Sequence, residues 1–268
     1  MSQPTPLFSE SVPENYDRYM GPMLFEPYAD DLAARLEVRE GMRVLEIACG
    51  TGIVTRHLRE RLPASSTLVA TDLSEPMLAC AKRQLGGAGG IEWMQADAMA
   101  LPFPDQSFDA VVCQFGLMFV PDKAAAMREA YRVLKPGGQM IFNTWHEMEQ
   151  NDFTLATHTT VLSFFPADPP VFYEIPFSLH DEYQLQSWME AAGFRNVTVR
   201  TLNLRSVSPS VADAAMGLVQ GTPLSGAIKE RGGDIDAITD AVANALATSF
   251  GKEPTRGRMS ALICEGIR

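Results

Sequence analysis

The chain has 268 residues, of which 46% are apolar and 21% charged, with 33 acidic against 22 basic side chains and a formal net charge of −11. This composition is typical of a globular protein and excludes a disordered or fibrous chain, and the length suffices for one large α/β domain. An acidic surface repels phosphate groups, so we expect no nucleic-acid partner and no binding to anionic membranes.

The chain carries four separate cysteines and no apolar run long enough to span a bilayer. The N-terminus has neither the basic nor the apolar region of a secretion signal. We therefore expect a cytoplasmic protein with four buried thiols, no disulfide and no metal site. The cysteines are Cys49, Cys80, Cys113 and Cys264.

The first half of the chain alternates runs of β-branched residues with helical periodicity. The runs predict strands over residues 43–47, 67–71, 91–95, 108–113 and 139–145. Helices are expected between them, beginning after Gly52, Ser74 and Asp122 and closed by proline or glycine. Such alternation is typical of right-handed crossovers and a doubly wound α/β fold with a mostly parallel sheet.

After residue 146 the pattern weakens. Residues 146–180 mix aromatic side chains and prolines without sustained periodicity, whereas a helix ending at Gly193 and strands over 194–206 and 260–267 follow. Residues 209–257 are expected to form two helical segments. We predict a single domain over residues 1–268. Its parts are a helical N-terminal cover (1–40), a ligand-binding core (41–145) and additions over the sheet edge (146–180 and 209–257).

The most informative segment joins the first strand to the first helix of this core. It reads Glu46-Ile47-Ala48-Cys49-Gly50-Thr51-Gly52. Two glycines permit a tight turn and let a ligand lie against bare backbone, while the helix offers unpaired N–H groups. A lone G-x-G is weak evidence, because any tight turn between a strand and a helix can use it.

Two aspartates strengthen that hypothesis. Asp72 ends the second strand 20 residues after Gly52, where a carboxylate can accept both hydroxyls of a ribose, although it could instead cap the following helix. Asp97 ends the third strand and could accept a hydrogen bond from an adenine amine, or be a solvated turn residue. Three ligand-compatible groups at successive strand ends favour an adenosine ligand.

The residue at the third glycine position argues against a dinucleotide. The fingerprint G-x-G-x-x-G requires glycine or alanine there, but this chain has the β-branched Thr55. A cofactor with adenosine and no pyrophosphate fits better than a nicotinamide cofactor or a nucleotide sugar.

Over residues 44–142 the sequence resembles class I S-adenosylmethionine-dependent methyltransferases of the ubiquinone/menaquinone-biosynthesis-like group. Four matching stretches carry the resemblance: VLEIACGTG (44–52), ATDLSEPML (70–78), MQADAMALPFPDQSFDAVVCQFGLMFVPD (94–122) and EAYRVLKPGGQMIF (129–142). The resemblance implies a Rossmann-like, seven-stranded sheet whose last strand is antiparallel. It also implies S-adenosylmethionine as cofactor and S-adenosylhomocysteine as product.

The resemblance assigns the methionine and ribose part of the cofactor to one group of residues. These are Glu46, the loop residues Ala48, Gly50, Thr51 and Gly52, and, after the fourth strand, Gln114 and Phe115. It places Asp72 on the ribose hydroxyls, Leu73 and Met77 beside the adenine, and Asp97 with Ala98 on adenine N6 and N1. In such enzymes an N-terminal helix often covers the site, and Tyr16, Tyr19 and Phe25 are candidates here.

The chain departs from relatives that methylate amide or nucleobase nitrogen, because Cys113-Gln114-Phe115-Gly116 replaces an Asn-Pro-Pro-Tyr motif. We therefore expect methyl transfer to oxygen or carbon of a small, largely apolar metabolite. His146, directly after the fifth strand, is the best placed candidate for a general base, although the position alone favours a surface-loop residue. A non-catalytic cofactor-binding subunit is the alternative function. The oligomeric state stays open, a homo-oligomer included.

Overall fold

The computed structural model describes residues 12–268, and these form two compact units. The first, which we call the core unit, comprises residues 28–146, 176–202 and 260–268. The second, the helical unit, comprises the described residues up to 27 together with 147–175 and 203–259. The residues predicted as additions thus fall largely in the helical unit, while their union with the core in a single domain stays a prediction. Residues 1–11 of the predicted N-terminal cover lie outside the described residues.

A seven-stranded sheet runs in the order β3-β2-β1-β4-β5-β7-β6. β1 lies in parallel between β2 and β4, β3 and β5 extend the sheet in parallel on either side, and β7 is antiparallel to β5. This confirms the predicted doubly wound, mostly parallel sheet with an antiparallel last strand. The strands are β1 (Arg43–Ile47), β2 (Thr67–Asp72), β3 (Ile91–Gln95), β4 (Phe108–Gln114), β5 (Leu134–Trp145), β6 (Arg195–Ser208) and β7 (Thr255–Ile267).

Five of the described helices begin at a residue whose side chain caps the first turn. Ser74 accepts a hydrogen bond from the backbone N–H of Met77 in the first turn of α4, and Asp122 accepts one from Ala125 in the first turn of α5. These caps satisfy N–H groups that have no partner inside the helix. The helices are α1 (Val12–Asn15), α2 (Glu26–Ala34), α3 (Ile53–Arg61), α4 (Glu75–Leu85), α5 (Lys123–Val133), α6 (Asp152–Phe164), α7 (Glu182–Ala192), α8 (Val211–Gln220), α9 (Leu224–Glu230) and α10 (Ile235–Phe250).

The fifth strand begins earlier than its sequence predicts. The apolar spacing of Met127, Ala130 and Leu134 favours a helix through Leu134 and a strand from residue 139, but α5 ends at Val133 and Leu134 pairs with Phe108. Leu134 fits the apolar stripe of a helix and the edge of a strand equally well, so periodicity alone misplaced it. The pairing of β4 with β5 then shifts register between Phe108 and Ala110.

The helical unit contains a helix that the sequence analysis missed. Residues 152–164 form α6, whose buried face carries Phe153, Thr154, Thr157 and Val161. Half of that face is threonine, so no apolar period was visible, and the Thr157 hydroxyl is satisfied by donating to the Phe153 carbonyl at 2.8 Å.

The segment 209–257 forms three helices and not the predicted two. Pro223 lies between α8 and α9 and divides the first predicted segment. In the second predicted segment, Ile238, Val242 and Leu246 of α10 are buried on one face.

All four cysteines are buried thiols, as predicted. None of the helices within residues 12–268 has the length and apolarity needed to cross a membrane.

Candidate functional site

The turn after β1 has a backbone that few residues other than glycine adopt. Ala48, Gly50 and Gly52 have φ values of 55°, 57° and 91°, in the left-handed region. A Cβ atom on Gly50 would meet nothing within 4 Å, whereas one on Gly52 would lie 3.0 Å from Leu85 Cδ1 of α4. Gly50 therefore leaves bare backbone facing open space, and Gly52 allows close helix packing.

Asp72, the last residue of β2, is tied to this turn. Its Oδ2 accepts a hydrogen bond from the Gly50 N–H at 2.8 Å, and its Oδ1 accepts one from the Ser74 N–H at 2.8 Å. Burial raises the pKa of the Asp72 carboxyl, and these N–H groups oppose that rise. Ser74 caps α4, so the alternative role of Asp72 as the cap of that helix is wrong. The sequence did not reveal that Asp72 also fixes the glycine turn.

Glu46 lies beneath the turn with 1% of its surface exposed. Desolvation, followed by the negative charge of Asp72, raises the pKa of its carboxyl to about 8, although neighbouring Thr55 opposes the rise. Glu46 Oε2 and Thr55 Oγ1 are both buried without a well-formed hydrogen bond. Buried polar atoms almost always have partners, so these two are candidates to receive polar groups of a ligand.

The residues predicted to lie beside the adenine line the same edge of the sheet. Leu73 follows β2 with 62% of its surface exposed, whereas Met77 is buried in α4. Asp97 and Ala98 follow β3, and one carboxylate oxygen of Asp97 accepts the Met99 N–H at 2.8 Å. Asp97 therefore does form a turn, as its alternative interpretation expected, while its predicted contact with adenine stays a prediction.

The end of β4 comes close to the glycine turn. Phe115 has a φ of 48°, and its N–H donates to Asn143 Oδ1 at 2.9 Å. A Cβ atom on Gly116 would lie 2.4 Å from Ala48 Cβ. Only glycine fits between these two segments, and Gln114 and Phe115 are thereby brought beside the turn.

Two further candidates are placed as follows. Tyr19 lies in the helical unit, in a π-helical segment (Tyr16–Phe25) that packs closely against α8. A Cβ atom added to Gly217 of α8 would lie 2.9 Å from Tyr19 Cβ. His146 follows β5 and is half-buried, and its backbone N–H donates to the Ser260 carbonyl at 3.1 Å. Their roles as cover and as general base stay predictions.

Asn143 and Trp145 of β5 belong to this site but are not among the residues predicted from the sequence. Asn143 is fully buried and bonded to the end of β4, and Trp145 stacks on the Phe115 ring. The available signal was a polar residue inside the apolar run Met140-Ile141-Phe142-Asn143, since a buried polar side chain needs a partner.

The described residues fit an adenosyl cofactor that carries an amino group. Open space lies over Gly50, Asp72 offers carboxylate lone pairs beside it, and Glu46 Oε2 is a buried acceptor with no partner. A cation or hydroxyl at Glu46 would satisfy that oxygen.

Comparison with known proteins agrees with this geometry. Residues 45–142 match the family described as a methyltransferase domain. The chain is 30% identical over 197 residues to a demethylmenaquinone methyltransferase of Staphylococcus epidermidis, covering 72% of this chain and 78% of that protein. It is 34% identical over 183 residues to the ubiquinone/menaquinone biosynthesis C-methyltransferase UbiE of Idiomarina loihiensis, covering 62% and 71%.

Solved structures share the fold. The YcgJ protein of Bacillus subtilis superposes with a TM-score of 0.59 at 20% identity, covering 90% of this chain and 98% of that one. The phosphoethanolamine N-methyltransferase 2 of Haemonchus contortus, solved with S-adenosyl-L-methionine, gives a TM-score of 0.62 at 15% identity, covering 98% and 58%.

Proposed function

We propose that this chain, which belongs to the ubiquinone/menaquinone-biosynthesis-like family of S-adenosylmethionine-dependent methyltransferases, transfers the methyl group to a ring carbon of a small quinol. The observation that carries this proposal is the likeness to proteins named demethylmenaquinone methyltransferase and C-methyltransferase over more than two thirds of their length. The residues Gln114-Phe115-Gly116 at the end of β4 support it, since the motif used for amide or nucleobase nitrogen is absent there.

Cofactor binding is assigned to the three strand ends. The Asp72 carboxylate would accept the ribose hydroxyls while keeping its bond to the Gly50 N–H. Glu46 Oε2 would accept from the amino group of the methionine part, which supplies the partner that this buried oxygen lacks. Leu73 and Met77 would pack against the adenine, and Asp97 would accept from its amine.

S-adenosylmethionine supplies an electrophilic methyl group on a sulfonium that is already a good leaving group. The chain's own task is therefore to align the acceptor with that methyl group and to exclude water, which can contribute on the order of 7–11 kcal/mol. The stacked and buried rings of Phe115, after β4, and Trp145, at the end of β5, suit the exclusion of water.

Methylation at a ring carbon forms a carbon–carbon bond, breaks the sulfur–methyl bond and releases one proton from the ring. We assign the acceptance of that proton to an imidazole nitrogen of His146, which follows β5 at the carboxyl edge of the sheet. A positioned base contributes about 10²–10⁴-fold to the rate. His146→Gln should then lower kcat and leave the affinity for S-adenosylhomocysteine unchanged, and an unchanged kcat would remove this role.

The experiment that tests the proposed function is transfer from S-adenosylmethionine carrying a ¹³C-labelled methyl group. The purified chain is incubated under reducing conditions with short-chain demethylated benzoquinol and naphthoquinol, and the products are examined by mass spectrometry and NMR. We expect the label on a ring carbon. A chain that binds S-adenosylhomocysteine but labels neither quinol would contradict the assignment of the acceptor, and labelling on oxygen would contradict that of the reacting atom.

A further inference from the structure

Four aromatic side chains form a stack in the core unit. The rings of Phe115 and Trp145 lie face to face, with centroids 3.9 Å apart and planes 10° apart. Phe177 stacks on Trp145 at 5.9 Å, and Tyr28 meets both Phe115 and Trp145 edge to face, at 5.4 and 5.6 Å. All four rings are at least nine-tenths buried, so their neighbours hold them in one arrangement.

Polar groups fix the backbone beneath this stack. Asn143 precedes Trp145 by two residues on β5, and its Oδ1 and its backbone carbonyl both accept the Phe115 N–H, at 2.9 and 3.2 Å. Its Nδ2 donates to Gln114 Oε1 at 3.4 Å. On the other side of the stack, the Tyr28 hydroxyl donates to the Leu202 carbonyl of β6 at 3.2 Å.

The left-handed backbone of Phe115 costs free energy, and a residue other than glycine keeps such a conformation only where its surroundings impose it. The bonds from Asn143 impose it here. The same conformation brings Gly116 against Ala48, so the Phe115 ring is fixed in position relative to the glycine turn. This rigid aromatic group lies directly after β4, next to the turn that is assigned to the cofactor.

From this arrangement we propose that the stack of Phe115, Trp145, Phe177 and Tyr28 determines acceptor specificity and selects flat, fused-ring acceptors over single-ring ones. Phe115 is the member assigned to contact the acceptor. Trp145 and Asn143 are positioning residues, because they act through Phe115. Aromatic rings favour offset-stacked or edge-to-face partners, so a larger flat acceptor gains more contact with a fixed ring than a small one does. The inference rests on the proposed quinol acceptor and goes beyond it by naming what selects the ring system.

The test compares matched substitutions in the full chain. Trp145→Phe keeps a ring in the stack, whereas Trp145→Leu removes it. Asn143→Leu removes the side-chain bonds to Phe115 and Gln114 and keeps the bond from the Phe115 N–H to the backbone carbonyl of residue 143. For each protein we measure kcat and KM with short-chain demethylated naphthoquinol and benzoquinol, the affinity for S-adenosylhomocysteine by calorimetry, and the melting temperature.

The wild-type chain should favour the two-ring quinol. In Trp145→Leu and Asn143→Leu the ratio of kcat/KM between the two quinols should fall about ten-fold, mainly through a higher KM for the naphthoquinol. Trp145→Phe should stay within about two-fold of the wild type, and cofactor affinity should change less than two-fold in both Trp145 variants. An unchanged ratio, or an equal loss with both quinols, would overturn the proposal, since a merely structural role predicts those results.

A binding experiment separates this inference from the proposed function. Calorimetry with 1-naphthol and with phenol, both in the presence of S-adenosylhomocysteine, needs no methyl transfer. Tighter binding of 1-naphthol that disappears in Trp145→Leu supports the specificity role even if neither quinol is methylated. Equal affinities of the wild-type chain for the two ligands refute it even if both quinols are methylated.

Discussion

Replacing Glu46 by glutamine tests whether the carboxyl under the glycine turn is buried and protonated. The carboxyl is 1% exposed, and burial raises its pKa from 4.5 to about 8. The glutamine side chain has nearly the same shape and does not titrate. Any dependence of stability on pH that comes from Glu46 should therefore be absent from Glu46→Gln.

The magnitude follows from the two pKa values. Since the folded-state pKa lies above the unfolded one, the folded chain holds a proton that the unfolded chain releases between about pH 4.5 and pH 8. The stability from this group is fully present below pH 4.5 and is lost as the pH rises through 8. A shift of 3.5 pKa units corresponds to about 5 kcal/mol at 1.36 kcal/mol per unit.

Urea unfolding at several pH values from 5 to 8.5 measures this effect. Tryptophan fluorescence follows the core unit, because Trp93, Trp145 and Trp188 all belong to it. Part of this effect lies below pH 5 and above pH 8.5, so over this range the free energy of unfolding of the wild type should fall by about 4 kcal/mol more than that of Glu46→Gln. The exposed control Glu230→Gln should follow the wild type. Parallel curves for the wild type and Glu46→Gln would refute the reasoning.

Three further substitutions test the site and its support. Asp72→Ala should weaken S-adenosylhomocysteine binding by about 1.5–3 kcal/mol for each charge-assisted bond lost, whereas the helix-capping control Asp122→Ala should bind it as the wild type does in calorimetry. Gly116→Ala forces a Cβ atom to 2.4 Å from the glycine turn and should cost about 1–3 kcal/mol of stability and at least ten-fold in cofactor affinity. The control Gly87→Ala should change neither stability nor cofactor affinity, since a Cβ atom on Gly87 meets nothing within 4 Å. Tyr173→Phe loses a 2.6 Å bond to a buried carbonyl of α8 and should lower the free energy of unfolding by about 1–3 kcal/mol, and no change in urea unfolding would show that bond to be unimportant.

The core of the fold could be predicted because its signals are local. A β-branched run followed by glycine or aspartate marks a buried parallel strand and its turn, and β1 has the bounds 43–47 that were expected. Ser74 and Asp122 marked their helices for the same reason, since a cap acts within its own helical turn.

The parts that escaped prediction depend on contacts distant in sequence or on buried polar groups. The helix α6 shows no apolar period because threonines form part of its buried face, and the hydroxyl of Thr157 bonds to the helix backbone. Asn143 holds Phe115 through a hydrogen bond between residues 28 positions apart, and no local pattern in the sequence predicts that pair. The strand-end groups were found from their spacing, but the bond from Gly50 to Asp72 and the partnerless oxygen of Glu46 needed the three-dimensional structure.

A crystal structure of the chain with S-adenosylhomocysteine would show whether the three strand ends bind the cofactor. We expect the ribose hydroxyls on the Asp72 carboxylate, the nucleoside along the Gly50 backbone, and the amino group on Glu46 Oε2. A nucleoside bound elsewhere, with Asp72 facing solvent and Glu46 Oε2 still without a partner, would contradict this expectation.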